Sequence, residues 1–145
     1  MKKFLKLFLP LLICILVSVI FIMFGKVDYD QLIKPKFSPP AIVFSIVWSI
    51  IYLIFIITLF KEYKDKKIYA LYIIILSMHT LWNFMFFFMG YYLISVILII
   101  LIYFVSWIFV FYLSLKSKKY FYIYLIYIIW IMIATYLNLS ILLLN

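Results

Sequence analysis

Three apolar runs of this 145-residue chain carry a few polar and aromatic side chains at helical spacing, and these are the groups that could do chemistry. Asn83 follows His79 by four, Phe86 and Phe87 follow Asn83 by three and four, and Gly90 follows these two by four and three, which puts them on one side of a helix. Trp48, Tyr52 and Phe55 do so in an earlier run, and Tyr127, Trp130, Ala134, Asn138, Ile141 and Asn145 in the last. An amide or imidazole in hydrocarbon is costly unless partnered, so such faces turn towards a bundle interior or a cavity. Indole faces beside an amide suit a flat, largely apolar guest, because the rings stack on it and the amide orients it. Amides also bond helix to helix, and that plainer account serves Asn138 and Asn145 equally well. His79 reads as a hydrogen-bonded core group rather than a metal ligand.

What the sequence lacks narrows the chemistry further. No apolar run holds Asp, Glu, Lys or Arg in its middle, so a proton relay or an ion-coupling carboxylate of the usual kind is not expected. No Cys and His spacing fits zinc, no glycine-rich loop fits phosphate, and no serine has a base beside it. Acid–base and metal-dependent hydrolysis are therefore not expected, and neither is a metal or a cofactor. The one cysteine, Cys14, sits inside an apolar run, where a buried inert thiol is the expected state.

The elements that must position these groups are membrane helices. Apolar residues make up 72% of the chain and charged ones 12%, too little polar surface to clothe a soluble enzyme. A span needs about 20 apolar residues, and the runs at about 4–24, 41–60, 68–89, 93–115 and 120–144 meet that length. A cleaved leader competes for the first run, but its length and the lack of a small-x-small site favour a retained helix. Period-two alternation is missing, so a barrel is excluded. The expected fold is all-α: one domain over 1–145, a five-helix transmembrane bundle with a structured first loop at 25–40. That loop holds Pro35, Pro39 and Pro40, which fix φ and remove donors, giving a bent, stiff segment. It either crosses the bundle mouth passively or acts as a lid with Tyr29 hanging over the helices.

The net charge of +9 comes from thirteen lysines and no arginine, placed almost wholly between the runs. Five spans put Lys2, Lys3, Lys6, Lys61, Lys64, Lys66, Lys67, Lys116, Lys118 and Lys119 on one side, and Lys26, Lys34 and Lys36 on the other. The excess orients the amino terminus inside and the carboxyl terminus outside, and explains the charge without nucleic acid. Abundant Ile, Tyr, Phe, Lys and Asn fit an A/T-rich genome, so the tyrosines carry little functional weight.

The segment Tyr29-x-x-Leu32-x-Lys34-Pro35-x-Phe37-x-Pro39-Pro40, followed by Trp48 and Tyr52, resembles the first loop and second helix of the TspO/MBR family, the translocator proteins or peripheral benzodiazepine receptors. The likeness continues at Trp82-Asn83 through Phe86-Phe87-Phe88. It resumes at Tyr127-x-x-Trp130-x-x-x-Ala134-Thr135-x-Leu137-Asn138 and ends at Asn145. The resemblance implies a five-helix bundle, usually a homodimer, in a bacterial cell membrane. It also implies a pocket under the first loop for porphyrins such as protoporphyrin IX and haem, or for other planar hydrophobic ligands. The matching ligand-binding positions are Tyr29, Trp48, Tyr52, Asn83, Phe86, Phe87, Trp130, Ala134 and Asn138. The family suggests three activities: a receptor or sensor, a light-dependent porphyrin-degrading enzyme working through Trp48 and Trp130, or a transporter. Departures are Asp28, where the family usually has Trp, and Ile126, where it commonly has Pro. No basic residue follows the final asparagine region, so sterol binding through the motif of the mitochondrial forms is not expected.

Overall fold

A backbone surrounded by hydrocarbon has only its own groups to bond to, so each long apolar run closes into a helix. The computed structural model describes the backbone of residues 2–145 and the side chains of residues 5–145. The side chains of Lys2 and Lys3, counted above among the lysines of the amino-terminal side, and of Phe4, the start of the first apolar run, lie outside the described residues. The helices are α1 (Lys2–Phe24), α2 (Ala41–Glu62), α3 (Lys66–Asn83), α4 (Tyr92–Ser114) and α5 (Lys118–Leu144). α3 continues as a wider π-helical turn at Phe84–Met89, and a short 3-10 turn at Tyr29–Gln31 interrupts the first loop. All five helices are long and apolar enough to cross a membrane, and no strand occurs among the described residues. The protein is an integral multi-pass membrane protein.

α3 and α5 start two residues ahead of their apolar runs because polar caps set them. Asp65 accepts from the N–H groups of Lys67 and Ile68 at 3.0 and 3.2 Å and opens α3. Ser117 does the same for α5 through Lys119 N–H. Asp65 also meets Lys116 at 2.8 Å, tying the α2–α3 loop to the α4–α5 loop. The Lys116 ammonium, and then the Ile68 N–H, hold the Asp65 carboxyl below the usual carboxylate range. A lowered pKa means stability that is present above the ordinary carboxylate range and is lost as pH falls through the lowered value. Melting in detergent between neutral and strongly acid pH should show this as a small step, about 2 °C at most for an exposed pair. Asp65→Asn should lack the step; a step of equal size in that variant would mean other groups cause it.

Pro10 lies inside α1 and cannot donate to the carbonyl of Lys6. Tyr69 of α3 supplies the missing donor, its hydroxyl reaching Lys6 O at 3.2 Å, and Tyr72 bonds Leu7 O at 3.0 Å. The kink-prone turn is thereby fastened to its neighbour.

At the opposite end, Gly90 ends α3 with φ of +71°, the left-handed conformation that glycine adopts without cost. The carbonyls that this helix end leaves open find donors in the first loop. Val27 N–H reaches Phe87 O at 3.1 Å and Lys26 N–H reaches Phe88 O at 3.4 Å. Gly25 permits this approach, because a Cβ there would run into the carbonyl oxygens of Phe87 and Phe21.

α4 carries few polar residues, and the sequence marks it as the span most open to lipid or to a second copy. The fold corrects the first of these. Its span is 39% buried, against 22% for α1 and α2. Ser95 and Ser106, both fully buried, are small enough to bring α4 close to its neighbours. The lysine-rich half of the bundle is solid. Phe55 packs against Phe109 and Tyr127 with ring centres 5.5 and 5.2 Å apart, and Tyr72 and Tyr124 close the cluster. The half beneath the first loop is not filled in this way.

Candidate functional site

The unfilled half holds a cavity of about 530 Å³, within the range of sites that take small molecules. α2 contributes Trp48 and Tyr52, stacked on each other at 5.6 Å and 30°. α3 contributes His79, Trp82 and Asn83, and its π-helical turn adds Phe86 and Phe87. Widening the helix at that point brings two successive phenylalanines onto the wall, and Trp82 stacks on Phe86 at 5.5 Å and 23°. α5 supplies Ala134, Leu137 and Asn138, and Tyr29 of the first loop also lines the space.

Eight of the nine expected positions are thus brought together: Tyr29, Trp48, Tyr52, Asn83, Phe86, Phe87, Ala134 and Asn138. Trp130 is not. It is buried against Phe44 at 5.3 Å, edge to face, and does not reach the wall. Phe44 also meets the Tyr29 ring edge to face at 5.5 Å. The Trp130 indole N–H has no partner.

Among the lining residues not read as site residues, three hydrogen-bond to other helices. Ser18 of α1 lines the cavity and accepts from Asn83 Nδ2 at 3.1 Å. It is the one hydroxyl in the first apolar run, four residues after Cys14, and that spacing was the available signal. Trp82 donates its indole N–H to Asn138 Oδ1 at 3.0 Å, so Asn138 joins α3 to α5 as well as facing the cavity. His79 is a hydrogen-bonded core group, meeting Tyr127 at 3.0 Å, and its ring also forms part of the wall, edge-on to Trp48 at 4.8 Å.

The first loop is fixed at several points. The Tyr29 hydroxyl pairs with Ser38 Oγ at 3.1 Å, and Lys34 donates to Tyr29 O at 3.1 Å while its ammonium stands over the ring. Asn145 binds the loop from the end of α5, accepting from Ile33 N–H and donating to Ile33 O, each at 3.0 Å. A primary amide matches a peptide group in this two-way pairing. Asn145→Ala should release the clasp, with water replacing the lost bonds at a cost of about 1 kcal/mol. The Ile33 amide should then exchange its hydrogen about fivefold faster; an unchanged rate would mean the clasp does not hold the loop.

An aromatic chamber with a polar edge and a tethered roof is suited to holding a small, largely apolar molecule. No group of residues among those described could hold a metal ion. No curated protein matches the chain. The model of the TspO/MBR family matches residues 7–144.

Proposed function

Because this chain belongs to the TspO/MBR family, we propose that it is a membrane receptor for porphyrins, or related flat hydrophobic molecules, held in the cavity beneath the first loop. The observation that carries the reading is the wall itself: Trp48, Trp82, Phe86 and Phe87 line one space together with Asn83. A planar guest exchanges lipid or water contacts for stacked aromatic ones there, and burial of both partners drives binding. Tyr29, Tyr52, Ala134 and Asn138 complete the contact surface in this proposal. The first loop is its lid.

Titration of the detergent-solubilised protein with protoporphyrin IX, haem and an isoquinoline carboxamide tests the reading. Saturable quenching of tryptophan fluorescence by at least the porphyrins is expected. Quenching that rises linearly, as it would for indole in empty micelles, would overturn it.

The binding reading is favoured over light-driven degradation by the position of Trp130, which Phe44 separates from the cavity. A pathway using both Trp48 and Trp130 would need the second indole at the guest. A homodimer in a bacterial cell membrane, with the amino terminus inside, completes the proposal. The orientation rests on the lysine excess at the α1, α2–α3 and α4–α5 end. A carboxyl-terminal tag on intact cells should be cut by external protease, and protection would reverse the orientation.

A further inference from the structure

We infer that the cavity takes its guests sideways out of the bilayer, through a mouth between α1 and α2, so that its ligands are flat amphiphiles already dissolved in lipid. This rests on the proposed use of the cavity as a ligand site and adds the route of entry and the phase that supplies the ligand.

The wall is closed on one side and open on the other. His79, Asn83 and Phe86 on the α3 side, and Ala134, Leu137 and Asn138 on α5, are all buried although they border the cavity, so bordering it exposes little by itself. On α1, Val19 and Ile22 line the same space and are 44% and 48% exposed. On α2, Ala41, Ser45 and Ser49 line it and are exposed too. Side chains that meet the cavity and the outside at once are the edges of its opening, and here they belong to two helices that follow each other in the chain and share the first loop.

The depth of these edges decides what lies outside them. At about 1.5 Å per residue, Ser45 and Ser49 lie ~6 and ~12 Å inside the Ala41 end of α2, and Val19 lies ~7.5 Å inside the Phe24 end of α1. The opening therefore meets acyl chains rather than water. A porphyrin in that leaflet keeps its propionates among the headgroups and its ring at the depth of the mouth. The edges suit such a passage. Ala41, Ser45 and Ser49 are small, and the Ser49 hydroxyl donates to Ser45 O at 2.8 Å, so it stands at a lipid-facing edge with its hydrogen bonded. Val19 and Ile22 have no polar side-chain atom with which to bond across the gap. α1 is fastened instead to α3, where Asn83 donates to Ser18 at 3.1 Å and Thr80 to Cys14 at 3.2 Å.

The roof is the competing route, and it is tied down. A guest entering there must lift a loop held by the Tyr29–Ser38 pair, by both bonds between Asn145 and Ile33, and by Val27 N–H on Phe87 O. Those bonds break together, whereas parting Val19 from Ser45 breaks none of them.

A double variant, Val19→Cys with Ser45→Cys, tests the route in liposomes. A flexible bis-methanethiosulfonate linker joins the two thiols across the mouth, and dithiothreitol releases it; native Cys14 is buried. Stopped-flow quenching of tryptophan fluorescence by protoporphyrin IX reads entry, and its recovery on dilution into empty liposomes reads exit. Linking should slow both at least about tenfold, and reduction should restore them. Val19→Trp, which narrows the mouth without a linker, should slow both in the same direction. Asn145→Ala, which loosens the roof, should leave both rates within about twofold of the wild type. Saturable binding with the linked protein exchanging porphyrin as fast as the reduced one, or with Asn145→Ala exchanging about tenfold faster than the wild type, would overturn side entry alone. Absence of saturable quenching in the wild type would overturn the ligand-site reading and this inference together.

Discussion

Ala134→Phe is expected to weaken protoporphyrin IX binding by at least about thirtyfold, equivalent to about 2 kcal/mol. Ala134 is the smallest side chain that α5 presents to the cavity, one turn before Asn138 and its bond to Trp82. A benzyl group there would project into the space a planar guest needs and could not retreat into the packed helix behind it. The substitution fills empty volume rather than displacing core atoms, so the melting temperature should hold or rise slightly. Loss of affinity at unchanged melting temperature is the signature. Wild-type affinity in this variant would mean that porphyrin binds elsewhere.

Gly25→Ala has the largest expected effect on stability. The added Cβ would meet two backbone carbonyl oxygens, those of Phe87 and Phe21, and neither is the yielding end of a flexible side chain. The first loop would have to lift away from the π-helical turn, stretching the bonds from Val27 to Phe87 and from Lys26 to Phe88. Two strained or broken bonds at a partly buried site cost about 2–4 kcal/mol. Melting in detergent should fall by about 10 °C. Porphyrin affinity should fall with it, because the same turn sets Phe86 and Phe87 on the wall. A variant that melts with the wild type would show that the loop is not anchored there.

The five spans were legible because length and unbroken apolarity suffice to specify a membrane helix, and their family is shown. Rotation of each helix was legible only where polar or aromatic residues broke the uniformity. α3 had His79 and Asn83 to mark its inner face. α4 was nearly uniform in hydropathy, so nothing in its composition told the buried side from the lipid side, and its depth was misjudged. Trp130 shares a helical stripe with Ala134 and Asn138, yet Phe44 of α2 fills the space before it. That depends on how two helices meet, which spacing along one helix does not contain. The π-helical turn was hidden for a related reason. The carbonyls at its end bond to a loop about sixty residues away (Lys26 and Val27 against Phe88 and Phe87), a contact that spacing along one helix does not contain. Asn145 could be read as interhelical glue or as part of the site, and it does neither, clasping the first loop instead.

The central claim is that a planar guest lies among the rings of α2 and α3 beneath the first loop. Solid-state NMR of protein labelled at tryptophan, with protoporphyrin IX bound in bilayers, tests it most directly. Through-space contacts from the macrocycle to the rings of Trp48 and Trp82, with none to Trp107 of α4, are predicted. Contacts confined to Trp107, or to lipid-facing side chains such as Phe104 and Phe111, would contradict the account.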